Sequence, residues 1–122
     1  MDKGLAAVVI YSVINAWAGL LLLGVGIPFY LKRIRPNTWA GMRTDATLSD
    51  PETWYAANRT MGLTLMLAGG AILAASLATF LLARQMSFLT LVVINLGVVM
   101  VAVTAVVAST LWTFRRKDRT QI

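Results

Sequence analysis

Charged residues are missing from three long stretches of the chain and crowd between and after them. No Asp, Glu, Lys or Arg occurs from Gly4 to Leu31, from Thr60 to Ala83, or from Gln85 to Phe114. Within each stretch apolar residues run continuously, without the alternation of a half-buried strand or the broad polar face of a soluble helix. A hydrocarbon core about 30 Å thick is crossed by roughly 20 helical residues. All three stretches are long enough, and the first and third leave residues over for tilt or for helix outside the bilayer. Backbone groups in lipid must be satisfied within the segment, which requires helices. The continuous apolar runs do not suit a β-barrel. The pattern predicts an all-α membrane protein, one domain over residues 1–122. Its spans lie at about 5–31, 61–83 and 87–114, with a loop over 32–60 that contains a short helix. The first stretch far exceeds the apolar region of a secretory signal peptide and starts on a nearly neutral Asp2-Lys3 pair, so it reads as a retained span.

Charge then orients the spans. With three crossings, the N-terminus and second loop share one side and hold Lys3 and Arg84. The other side holds Lys32, Arg33, Arg35, Arg43, Arg59, Arg115, Arg116, Lys117 and Arg119. Such a bias places the first loop and the C-terminus in the cytoplasm and the N-terminus outside. Phe29, Tyr30, Trp39, Trp54, Tyr55, Trp112 and Phe114 fall where a cytoplasmic aromatic belt would sit, whereas Trp17 is mid-span.

Composition removes several function classes. Hydrophobic residues make up 58% of the chain and charged ones 13%, against about 25% charged in a soluble domain. The absence of Cys excludes disulfides and thiolate metal sites, and the absence of His removes the usual metal ligand and proton shuttle. No carboxylate or cation lies inside a span, and those residues mark ion pathways and proton relays. A coupled ion transporter built from this chain alone is therefore not expected. No nucleophile–base pair is visible, so no catalytic residue, metal or cofactor is expected, nor an enzyme. The net charge of +6 sits at the ends of the apolar stretches, which suits anionic headgroups and not nucleic acid.

Helix association in lipid relies on small residues and a few polar contacts. The second span offers Gly70, Ala74 and Ala78, with Ala71, Ala75, Thr79 and Ala83 beside them. The third offers Gly97, Ala105 and Ser109, and the first Gly19, Gly24 and Gly26 before Pro28, which is expected to kink its cytoplasmic end. Asn15 and Asn95 are the most polar side chains within the spans. We read them as interhelical hydrogen-bonding groups, the alternative being a pair that contacts a ligand or a gate. Three helices bury little against one another, which predicts a homo-oligomer or a larger membrane complex.

The loop carries the most information. Pro36-Asn37 signals a turn, and Gly41 suits a positive φ or a close approach. Asp50 can cap a helix whose first residue is Pro51, with Glu52 at the positive end of its dipole and Ser49–Glu52 as a capping box. A short helix is expected from Pro51, either along the membrane surface or running into the second span at Met61. Trp54 and Asn58 would share one of its faces. Asp45, Asp50 and Glu52 are placed to pair with Arg43, Arg35 and Arg59. The plainer reading is a loop folded over the helix ends by such pairs. The alternative is an Arg-rich pocket for an anion or carboxylate.

Pro36, Asn37, Gly41, Arg43, Thr44, Trp54, Asn58, Arg59 and Gly62 form P-N-x-x-x-G-x-R-T, a nine-residue spacer, then W-x-x-x-N-R-x-x-G. This constellation resembles the SdpI/YfhL family of bacterial integral membrane proteins. The resemblance implies a small multispan protein of the bacterial plasma membrane. Its best-known member protects the producing cell from its own secreted toxin and holds a repressor at the membrane. That immunity protein is longer, with extra spans, and this chain looks like the domain alone. The expected function is toxin immunity or membrane interaction without catalysis, with a peptide toxin or membrane protein as partner besides the lipid bilayer. The alternative is a binder of a small molecule or lipid headgroup, or a transporter subunit. Binding would use Asn37, Gly41, Arg43, Thr44, Trp54, Asn58 and Arg59.

Overall fold

The computed structural model describes residues 3–120. Four helices follow in order: α1 Lys3–Tyr30, α2 Asp45–Ser49, α3 Pro51–Leu81 and α4 Phe88–Thr120. Asp2 and the side chains of Phe114, Lys117 and Arg119 lie outside what is described. Three helices, Lys3–Tyr30, Pro51–Leu81 and Phe88–Thr113, are long and apolar enough to cross a membrane. The second expected span and the helix expected at Pro51 are one element. At 1.5 Å per residue α3 is about 46 Å long, so its N-terminal turns stand beyond a hydrocarbon core of about 30 Å.

Local chemistry sets the ends. Asp50 caps α3, its carboxylate accepting from the Thr53 backbone N–H at 3.3 Å, and Pro51 occupies the first turn, where its missing N–H is harmless. Ser49 does not form the expected box with Glu52, because its hydroxyl donates back to the Ala46 carbonyl of the short helix α2. The box forms one element earlier, between Thr44 and Thr47. Ser87 opens α4, its hydroxyl accepting from the Thr90 N–H at 3.2 Å.

α1 and α3 run antiparallel and pack along their lengths, while α4 lies chiefly on α3 and touches α1 little. Glycines set the α1–α3 spacing. A Cβ at Gly19 would meet the Gly69 carbonyl oxygen at 2.8 Å, and one at Gly26 would meet the Gly62 oxygen at 2.6 Å. Ser76 and Ser12 continue the seam, with the Ser76 hydroxyl donating to the Ser12 carbonyl. Successive pairs are seven residues apart on both helices, the period of a sustained interhelical seam. The stripe expected from Gly70, Ala74 and Ala78 is therefore not the contact. Gly24, Gly70 and Gly97 have nothing within 4 Å of an added Cβ, and Ala74 and Ala78 are exposed. Ala68, Ile72 and Ala102 form the buried apolar centre, flanked by Leu22, Val99 and Val106.

Two polar ties hold α4. Asn95, buried at 2% exposure, donates from Nδ2 to the Thr79 hydroxyl and to the Leu91 carbonyl. The Thr64 and Ser109 hydroxyls share a hydrogen bond of 3.0 Å. Asn15 does not meet Asn95, and its buried Nδ2 has no hydrogen-bond partner among the described residues. Intramembrane hydrogen bonds average about 0.6 kcal/mol, and Thr79 keeps its bond to the Ala75 carbonyl. Asn95→Leu should therefore lower stability by less than about 1 kcal/mol in thermal unfolding. A loss several times larger would mean that Asn95 does more than join two helices.

Candidate functional site

The motif loop leaves α1 through a tight reversal. Lys32 adopts φ 59°, its N–H bonds the Phe29 carbonyl at 3.2 Å, and the Arg33 N–H bonds the Pro28 carbonyl at 2.9 Å. This is a Schellman end with lysine where glycine is usual. Asn37 then folds the next turn, Oδ1 accepting from the Trp39 and Ala40 N–H groups at 3.0 and 2.7 Å, while Nδ2 donates to the Arg35 carbonyl.

Gly41 brings the chain back onto the helices. Its φ is 98°, and a Cβ there would lie 2.6 Å from Asn58 Oδ1 and 2.9 Å from Phe29 Cε1. Both reasons for a glycine apply at once. Met42 is clamped by Asn58, whose Oδ1 accepts the Met42 N–H at 2.6 Å. Asn58 Nδ2 donates to the Trp54 carbonyl at 3.0 Å and, more weakly, to the Met42 carbonyl at 3.4 Å. The Thr47 hydroxyl also donates to the Met42 carbonyl, at 2.9 Å. Trp54 reaches across the loop and donates from Nε1 to the Ile34 carbonyl at 2.9 Å. Trp54, Asn58 and Thr47 are the largest fully buried side chains described.

The seven candidate residues thus divide. Asn37, Gly41, Thr44, Trp54 and Asn58 fold the loop, and their polar groups are taken up by its own backbone. Arg43 and Arg59 are exposed. The Arg43 guanidinium donates to the Thr38 carbonyl. That of Arg59 stands 4.7 Å from the centre of the Tyr30 ring, a cation–π geometry, and lies 3.4 Å from its hydroxyl. The carboxylate pairs expected for Arg43 and Arg59 are not seen among the described residues. Arg43 and Arg59 turn instead to a carbonyl and a ring, Asp45 and Glu52 occupy the first turns of α2 and α3, and Asp50 is the cap between them.

Thr47 and the Ile34 carbonyl escaped the sequence reading. The Thr44-x-x-Thr47 spacing was a usable signal for the first. Nothing local marks the second, since it lies 20 residues from Trp54. Chemically, the loop offers an internally bonded platform carrying two exposed guanidinium groups and an open indole, Trp39, at 77% exposure. Among the described residues no group of three or more His, Cys, Asp or Glu could hold a metal ion.

Comparison with known proteins agrees with the motif. No curated protein and no solved structure matches the chain. The model of the SdpI/YfhL protein family matches residues 33–113. That stretch holds the whole clamped loop, α3 and most of α4, and with well over half of the sequence matched the chain belongs to the SdpI/YfhL family.

Proposed function

We propose that this chain is a non-catalytic interaction protein of the bacterial plasma membrane, of the toxin-immunity kind. Its motif loop and C-terminus face the cytoplasm and its N-terminus faces outside. The carrying observation is the use the loop makes of its motif. Polar groups that an enzyme would keep available are hydrogen-bonded to its own backbone, which suits a scaffold that holds a surface in shape. A membrane-active peptide meeting the spans, or a protein meeting the loop, fits that construction. The test is survival of cells with and without the gene under secreted membrane-active peptides of neighbouring strains. Greater killing of the deletion strain, reversed by the intact chain, is expected. Equal killing across the panel would remove the immunity reading.

A second reading has its own observation. Arg43 and Arg59 stand exposed and, among the described residues, without a carboxylate partner, which suits binding of a phosphate-bearing small molecule or headgroup.

A further inference from the structure

We infer that the motif loop is an interfacial anchor that binds anionic phospholipid headgroups through Arg43, Arg59 and Trp39. The inference deepens the second reading and rests on it, and it is independent of any toxin.

Depth is the first argument. Gly41 packs against Phe29 in the last turn of α1, the turn at which the apolar stretch ends. Trp39 is two residues from Gly41, and a chain spans at most about 3.6 Å per residue. Its backbone is therefore held within about 7 Å of the level of Gly41. That is headgroup depth, where amphipathic indoles settle. Trp39 is the most exposed of the large hydrophobic residues described, at 77%, although its neighbour Ala40 is bonded into the Asn37 turn. The turn holds the backbone and leaves the ring outward.

Charge is the second. Arg43 lies two residues beyond Gly41, and its guanidinium is tied to the Thr38 carbonyl, beside Trp39. Met42 and Asn58, which precede Arg43 and Arg59, are hydrogen-bonded to each other, so one clamp fixes where both arginines start. Lys32, Arg33 and Arg35 are also exposed on this segment. Five exposed cations, Lys32, Arg33, Arg35, Arg43 and Arg59, thus lie on the segments that carry and clamp the Trp39 turn, and the partners of the two arginines beside the clamp are, among the described residues, a backbone carbonyl and a tyrosine ring. An anionic lipid supplies the complementary phosphate, and its acyl chains bring that charge to this depth.

The intact chain in bilayer discs provides the test. Discs of phosphatidylcholine, with or without phosphatidylglycerol, are compared by thermal midpoint and by lipid adducts in native mass spectrometry. Phosphatidylglycerol should raise the midpoint and be retained over phosphatidylcholine. Arg43→Gln with Arg59→Gln should cut that preference by roughly fivefold for each cation removed. Arg115→Gln with Arg116→Gln, on the same membrane side but at the C-terminal end of α4 rather than on the motif loop, should leave most of it. A second reading leaves both arginines in place and follows the exposed indole. The tryptophan emission lost in Trp39→Phe should be quenched more by brominated phosphatidylglycerol than by brominated phosphatidylcholine. Equal quenching by the two lipids, or an unchanged preference in the loop variant, overturns the anchor. Soluble glycerol phosphate added to phosphatidylcholine discs separates the two ideas. If it alone stabilises the chain, anion binding stands and the lipid anchor fails, and if neither phosphate source stabilises it, both fail.

Discussion

Asn58→Ala is expected to lower the unfolding free energy by about 2–4 kcal/mol and to free the loop while the spans stay helical. Asn58 is 1% exposed and its Oδ1 accepts the Met42 N–H. Alanine leaves that buried donor unpaired, at a cost of about 1–3 kcal/mol. It also removes the donor to the Trp54 carbonyl and opens a small cavity beside Gly41. The Met42 carbonyl keeps Thr47, so the damage centres on one N–H. Asn58→Asp should be no milder. It preserves the acceptor for Met42 but turns the donor side into an oxygen facing two carbonyls and buries a charge. Thermal melting followed by tryptophan emission measures the first effect. Trypsin cleavage after Arg33 and Arg43 measures the second, and should quicken in the variant well below its melting temperature. Wild-type melting together with wild-type cleavage for Asn58→Ala would show that the clamp is incidental.

The spans could be read from the sequence because lipid makes the rule local. Every residue of a spanning helix must tolerate hydrocarbon, so the absence of charge in Gly4–Leu31 is itself the signal. Asp50 and Pro51 were legible for a similar reason, since a cap concerns only a few neighbouring residues. Gly41 was legible in kind, because a glycine there has few other uses, but its partners were not. The Phe29 ring and the Asn58 amide that crowd it come from two different helices.

Where the reading failed, a second segment decided the outcome. Gly70, Ala74 and Ala78 are as small as Gly62, Gly69 and Ser76, and nothing in α3 alone ranks one stripe above the other. The choice falls to α1, whose Gly26, Gly19 and Ser12 recur at the same seven-residue interval in the opposite sense. The arginines failed in another way. Sequence proximity suggested Asp45, Asp50 and Glu52 as partners, but those carboxylates sit at helix N-termini, where the dipole already favours them. Arg43 took a backbone carbonyl and Arg59 an aromatic ring instead. Exposed ion pairs contribute about 1 kcal/mol or less, too little to override either arrangement.

The α1–α3 seam yields the other large effect, and its sign can be argued from contact distances. A Cβ at Gly62 would lie 2.6 Å from the Gly26 carbonyl oxygen, 2.6 Å from the Tyr30 nitrogen and 3.0 Å from Phe29 Cβ. Two of these atoms are backbone and the third is bonded to it, so no rotamer change relieves the overlap. The helices must separate, and with them the last turn of α1 on which Gly41 and the loop rest. Gly62→Ala should therefore lower stability by about 3 kcal/mol, with Gly26→Ala close behind. The two variants act on one contact. Once the first has parted the helices the second meets less resistance, so the double variant should lose clearly less than the sum of the singles. Gly70→Ala supplies the control, since its added methyl enters open space. It should be neutral or stabilising by up to about 1 kcal/mol through helix propensity. Melting the four variants in one detergent decides the matter. If Gly62→Ala melts with Gly70→Ala, glycine contact does not set the distance between α1 and α3. If the singles add fully, the two glycines act at separate places and the seam is not one surface.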